Sequence, residues 1–276
     1  MNSGKTILRV SGLSKRYGSR DALTRRRACV VALQDVGLEI VTGEVIAVVG
    51  ESGSGKSTLA RCVARMEDAD SGEILFDGTD ITKLTAWELR PFRSQIQLIL
   101  QDSAGALNPR FTAAEIIEEP LVIQGWGTAE ERRSRAVELI QQVGLAADWA
   151  ERQVTQFSGG QRQRLSIARA LALRPAFLIL DEALSGLDLS TQAQVLNLLL
   201  ELKQSYGLTY LFISHDLGLV SQIADGIAVM HAGQIVECGR PQEILEQPQH
   251  PQTIALVKSA VAMRREINAH AAAGGR

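Results

Sequence analysis

Val45-Ile46-Ala47-Val48-Val49-Gly50-Glu51-Ser52-Gly53-Ser54-Gly55-Lys56-Ser57-Thr58 is the stretch on which the fold turns. Its opening run is continuously apolar, as a parallel strand buried on both faces requires. Residues 50–57 then fit the pattern G-x-x-x-x-G-K-[ST], and residues 57–66 read as a helix. The pattern therefore sits at a strand-to-helix turn. Its glycines let successive backbone N–H groups converge on phosphate oxygens, helped by the positive end of the following helix. The expected nucleotide-binding residues are Gly50, Glu51, Ser52, Gly53, Ser54, Gly55, Lys56, Ser57 and Thr58. Lys56 would reach the outer phosphates and the Ser57 hydroxyl would hold Mg²⁺.

Two motifs downstream carry matching chemistry. Phe177-Leu178-Ile179-Leu180-Asp181-Glu182 reads as a buried strand ending in two carboxylates. Asp181 would sit near Mg²⁺, and Glu182 would polarise the attacking water, which must lose a proton as it reaches phosphorus. An ordinary acidic helix start is the plainer reading, but the phosphate loop elsewhere in the chain speaks against it. Phe157-Ser158-Gly159-Gly160-Gln161 precedes a helical stretch, residues 161–173, whose N-terminus offers a second phosphate-binding end.

Around these motifs, residues 7–10 and 38–40 alternate like strands about a polar segment, 19–27, that holds Arg25-Arg26-Arg27. A solvated loop is the expectation there. Residues 72–78 and 96–100 read as further strands. From 113 to 156 the character turns helical, with apolar residues at three-to-four spacing broken by Gly125 and Gly127. A strand (177–180), a helix (191–206), a strand (211–214), a helix (217–224) and a last strand pair about Gly233 follow. Such alternation predicts an α/β fold with a mostly parallel sheet.

The 276 residues suffice for a full core, as one large domain or a domain with a smaller lobe. A net charge of −2 supplies no broad field for nucleic acid or anionic lipid. No apolar run approaches the roughly 18–20 residues of a membrane span, and no apolar core follows Met1-Asn2-Ser3-Gly4-Lys5 as in a secretory signal. A cytosolic protein is expected. Cys29, Cys62 and Cys238 lack C-x-x-C spacing, which fits reduced thiols better than a disulfide frame or a zinc site.

In this order and company, the motifs resemble the ABC ATPase family over nearly the whole chain. The resemblance implies a P-loop NTPase of ABC ATPase fold: a RecA-like, mostly parallel core, an antiparallel N-terminal β-subdomain and an inserted helical lobe. It places the ATPase domain at residues 1–245, the lobe at about 102–157 and a short extension at 246–276. Residues 157–161 match the family signature, so ATP would lie between the phosphate loop of one subunit and Ser158, Gly159, Gly160 and Gln161 of its partner. Tyr17, in Ser14-Lys15-Arg16-Tyr17-Gly18, matches the aromatic that stacks on adenine. Gln101 matches the glutamine that touches Mg²⁺ or the water, and His215 matches the histidine that senses the γ-phosphate. Ser185-Gly186-Leu187-Asp188 matches the D-loop, with Gly186 where alanine is usual, a change expected to loosen that turn.

Residues 101–110, 181–196 and 250–256 are similar to the peptide and nickel importer branch, although Gln252 stands where that branch usually has tyrosine. This implies a second ATPase subunit, two membrane-spanning permease subunits contacted by the helical lobe, an extracytoplasmic binding protein, and a peripheral place on the cytoplasmic face of the inner membrane. Ala183 after the glutamate leans towards nickel or metal-chelate cargo. No cysteine follows Cys238, so no iron–sulfur cluster is expected. DNA-repair relatives would carry long heptad insertions, and ribosome-associated relatives two cassettes; neither is present in the sequence. An inactive subunit would have a broken site, whereas Lys56, Asp181, Glu182 and His215 are all in place.

Overall fold

The computed structural model describes residues 4–20, 27–101 and 105–273. Arg25 and Arg26 of the arginine run, Asp102 at the start of the expected lobe, and the end of the small-residue tail lie outside them. The chain divides into two compact units, Met1–Leu84 with Tyr210–Arg276, and Thr85–Thr209.

In the first unit, β1 (Thr6–Arg20) and β2 (Arg27–Val41) pair antiparallel, with Leu8 opposite Ile40 and Val10 opposite Leu38. The ladder runs well beyond the two short strands expected, through Tyr17 opposite Val30 to Arg20 opposite Arg27. Near its far end Tyr17, Val30 and Val31 are all exposed. With no buried face there, the two-residue alternation that marks a strand in sequence is lost while the backbone pairing continues.

β3 (Val45–Val49) follows, its valines and Ala47 fully buried, and leads through the phosphate loop to α1 (Lys56–Val63). This helix ends earlier than the spacing predicts. Arg65 turns left-handed (φ 53°), and its buried guanidinium donates to the Ile81 carbonyl at 2.8 Å and to Asp68 at 2.7 Å. β4 (Ser71–Phe76) pairs antiparallel with β1, and β5 (Thr79–Asp80) with β4, so the sheet runs β2-β1-β4-β5. This is the antiparallel N-terminal subdomain.

The second unit begins with α2 (Arg90–Gln95) and β6 (Ile96–Ile99). The helical stretch consists of α3 (Ala113–Gln124), α4 (Ala129–Gln142) and two 3₁₀ turns, Ala147–Glu151 and Val154–Gln156. Thr112 with Glu115, and Thr128 with Glu131, form reciprocal caps at the two helix starts. Gly125, at φ 69°, ends α3. α5 (Gly159–Leu171) then starts at the signature. Arg169 on it donates to Glu119 of α3 at 2.8 Å, and Arg164 to the Val143 carbonyl beyond α4 at 2.8 Å. β7 (Phe177–Asp181), buried throughout, runs parallel to β6, and α6 (Leu189–Tyr206) follows.

Returning to the first unit, β8 (Thr209–Ser214) lies parallel to β3. α7 (Leu217–Val220) is shorter than residues 217–224. Its continuation tightens to three-residue bonds, Gln222 to Leu219 and Ile223 to Val220. Asp225 then joins the sheet through Val45, donating to its carbonyl and accepting from its N–H, each at 2.8 Å. β9 (Gly226–His231) runs parallel on the other side of β3, and β10 (Gln234–Gly239) turns back antiparallel through Ala232 and Gly233. After α8 (Pro241–Glu246), the Glu237 carboxylate accepts the N–H groups of Gln249 and His250 at 2.9 Å each and anchors the start of α9 (Pro251–Ala273). The mixed α/β architecture agrees with the sequence reading.

Candidate nucleotide site

In the first unit the phosphate loop closes on itself. Lys56, 5% exposed, folds its ammonium into the loop and donates to the carbonyls of Gly50 and Glu51, each at 2.8 Å. The Ser54 carbonyl accepts the Gly233 N–H at 2.9 Å, which ties the loop to the turn between β9 and β10. Two glycines are demanded by close approach. A Cβ on Gly50 (φ 155°) would strike the Met230 carbonyl oxygen, and one on Gly55 (φ 109°) the Ala32 carbonyl oxygen. Gly55 also caps α1 without a side-chain bond, and a helix start of this kind is a natural seat for an anion. Glu51, Ser52 and Gly53 are exposed at the rim, while Thr58 is buried in the first turn.

Two further expected residues belong to this unit. Val49 lies opposite Ser214, so Gly50 and His215 leave neighbouring parallel strands at the same end. His215 is exposed there. Tyr17 is 37% exposed on β1, and its hydroxyl donates to the Glu67 carboxylate. Burial first, then the bond to Glu67, hold the Tyr17 phenol above its usual range, with a bond to the Thr58 side chain opposing them. Tyr17 thus touches the helix that the phosphate loop begins.

The second unit holds the other expected residues. Ile99 lies opposite Leu180, so Gln101 and Asp181 emerge at the same end of the β6–β7 pair. Asp181 is 3% exposed. Glu182 takes a left-handed backbone (φ 47°), a costly state for a residue with a side chain. Its carbonyl accepts the Ser185 N–H at 3.0 Å and the Ser185 hydroxyl at 2.7 Å, which holds the turn. Gly186 sits at φ 78° with open space around it. A second bond spans this glycine, from the Gln192 side chain to the Leu184 carbonyl at 3.1 Å.

Ser158 caps α5 and exchanges bonds with Gln161: the Ser158 N–H donates to the Gln161 side chain at 2.9 Å, and the Gln161 N–H to Ser158 Oγ at 3.3 Å. Asp188 caps α6, accepting the Thr191 N–H at 2.9 Å and the Thr191 hydroxyl at 2.7 Å. These two bonds, the backbone one first, hold the Asp188 carboxyl below its ordinary value. Thr191 is a residue that motif reading missed. Its methyl would lie 2.5 Å from a Cβ on Gly160, so it packs the signature against the D-loop cap. No sequence signal announces it, because the contact joins the starts of two separate helices. Gln101, Gly159, Arg162, Ser185 and Gly186 border one cleft of about 430 Å³.

The donors suit the expected ligands. Loop amides and one ammonium are the kinds of donor that a polyphosphate takes. The Ser57 hydroxyl, the Asp181 carboxylate and the Gln101 amide oxygen are the hard oxygen donors that Mg²⁺ prefers.

Comparison with known proteins converges on one family. The ABC transporter family pattern matches residues 33–185. A Brucella ovis protein bearing the name of a peptide import ATP-binding protein is 47% identical over 92% of this chain and 78% of its own. The glutathione import ATP-binding protein GsiA of Salmonella paratyphi A is 46% identical over 92% of this chain, which spans 41% of GsiA. Among solved structures, the dimeric ATP-binding cassette MJ0796 bound to ADP and phosphate aligns with TM-score 0.75 at 30% identity, covering 85% of this chain and 98% of that one. CbiO1 of Clostridium perfringens, part of the ABC transporter complex cbiONQ, aligns with TM-score 0.77 at 27% identity, covering 88% and 92%.

Proposed function

This chain belongs to the ABC transporter family, and from that premise we propose that it is the ATP-hydrolysing subunit of an importer of short peptides. The observation that carries the reading is the phosphate loop, with Lys56 inside it and Gly50 and Gly55 pressed against backbone carbonyls. Peptide cargo is supported by the names of the relatives, since glutathione is itself a tripeptide. The lean towards nickel or metal-chelate cargo rests on the Ala183 pattern alone, whereas the names of the relatives favour peptide.

In this reading the loop amides and Lys56 bind the outer phosphates of ATP, and Tyr17 stacks on adenine. Ser57, Asp181 and Gln101 hold Mg²⁺, which when bound neutralises phosphate charge and steadies the leaving group. Glu182 takes the proton of the attacking water, oriented by the left-handed turn that Ser185 secures. His215 senses the γ-phosphate. Gly159 and Gly160 turn the start of α5 towards nucleotide on a second ATPase subunit, so binding closes the pair and hydrolysis releases it. That two copies of a cassette meet is supported by the dimeric relative.

The remaining partners are two permease subunits, contacted by the lobe at 102–157, and a binding protein on the far side. Among the described residues no helix is long and apolar enough to cross a membrane, so the chain is proposed to sit peripherally, on the cytoplasmic face of the inner membrane. The test is co-purification of the tagged chain from detergent-solubilised membranes. Two multi-span proteins and a second ATPase are expected, whereas recovery with ribosomes or nucleic acid alone would sink the transport reading.

A further inference from the structure

Tyr17 is exposed, yet it is not free to swing. Its hydroxyl donates to Glu67, which in turn pairs with Arg61 of α1 at 3.5 Å. Lys15, two residues earlier and so on the same face of β1, holds its ammonium 5.6 Å from the Tyr17 ring centroid. That ammonium is itself fixed, donating to the Asp68 carbonyl at 2.6 Å and facing the Asp70 carboxylate at 3.6 Å. Asp70 also accepts the Arg16 N–H at 2.6 Å. Glu67-Asp68-Ala69-Asp70 thus laces the strand at Tyr17 and at the residues just before it.

We propose that this segment is a buckle that holds the Tyr17 ring as a preset wall for the purine base, with Glu67 the positioning residue that fastens its hydroxyl. The proposal rests on Tyr17 being the adenine platform. Lys15 sits over one face of the ring, so a base would stack on the opposite face. A ring already held in place pays little ordering entropy on binding, and the nearby cation is attracted to the ring face. Glu67 lies outside the phosphate loop and apart from Asp181 and Glu182, so its contribution is expected to fall on base affinity. Arg61 joins the buckle to α1, so the base wall and the phosphate loop share one rigid support.

Titration of the purified full chain with ATP and with inorganic tripolyphosphate separates these effects, because only ATP carries a base. Glu67→Ala is expected to weaken ATP by about three- to tenfold, the size of one lost aromatic contact, and to leave tripolyphosphate unchanged. Glu67→Gln, which still accepts from the phenol, should restore most of the ATP affinity. In a Tyr17→Phe background, Glu67→Ala should have no further effect, since no hydroxyl remains to be held. Equal weakening of both ligands would mean that Glu67 only supports the phosphate loop, and unchanged ATP binding would mean that no buckle acts; either overturns the proposal. Tyr17→Ala tests the platform separately. If it leaves ATP affinity untouched, the platform reading itself fails; if it weakens ATP while Glu67→Ala is silent, only the buckle falls.

Discussion

In the phosphate loop, a side chain on Gly50 or Gly55 would strike the carbonyls of Met230 or Ala32; at the start of α5, one on Gly160 would strike the Thr191 methyl, and one on Gly159 nothing. Both regions are glycine-lined helix starts, the kind of place where a phosphate binds, but they are closed differently. The loop is walled by backbone that cannot retreat, and its lysine is already satisfied inside it. The α5 start has its cap bonds filled by Ser158 and Gln161, while Gly159 faces open space and Gly160 meets only a side chain. The difference suggests a division of labour: a cradle complete within this chain, and an edge that acts on nucleotide held elsewhere.

The hardest test of that division concerns the carboxylate. Glu182→Gln is expected to lower turnover by about two to four powers of ten while ATP still binds the loop. Turnover close to wild type, measured by phosphate release with the assembled partner subunits, would remove Glu182 from the proton-accepting role and leave the cradle without its chemistry.

A smaller effect separates rigid from yielding walls. Gly55→Ala meets a carbonyl that cannot move and should cost about tenfold to a hundredfold in ATP affinity. Gly160→Ala meets a side chain instead. It should leave binding at this chain's own loop intact and slow hydrolysis in the paired subunits. Adding Thr191→Ser, which deletes the obstructing methyl and keeps the hydroxyl on Asp188, should recover most of the lost rate. A double variant as slow as Gly160→Ala would show that the glycine is needed for close approach of nucleotide, as in the loop, and the contrast would collapse.

The mildest effect comes from the Asp188 cap. Its folded pKa is lowered below that of the unfolded chain by Thr191. The cap therefore contributes fully above the ordinary aspartate range, near pH 4, and its contribution is lost as pH falls through the lower folded value. Thermal melts of wild type and Asp188→Asn should differ at neutral pH and converge in acid. A constant difference would assign the stability to something other than the carboxylate charge.

Much of the site was legible because it is local. A glycine pattern between an apolar run and a helix, two carboxylates ending a strand, and Ser158 three residues before Gln161 all declare their geometry within a few residues. The far half of the β1–β2 hairpin was not legible, since exposure on both faces erases the alternation. Nor were the ends of α1 and α7, where Arg65 and Asp225 leave the helical path for partners distant in sequence. Nor was the bond that spans Gly186, from Gln192 to the Leu184 carbonyl, which joins a helix to the turn before it.

By itself, then, the sequence determined the family, the glycine-lysine loop pattern and the identity of the chemical groups proposed for the site, because those depend on residue type at short spacing. Only the tertiary structure decided what holds the parts in place: Glu67 on Tyr17 and Thr191 between Gly160 and Asp188 at the candidate site, and Glu237 at the start of α9 away from it. Each of these contacts joins separate elements of the chain. Where they form is set by how those elements pack, which no short window of residues encodes.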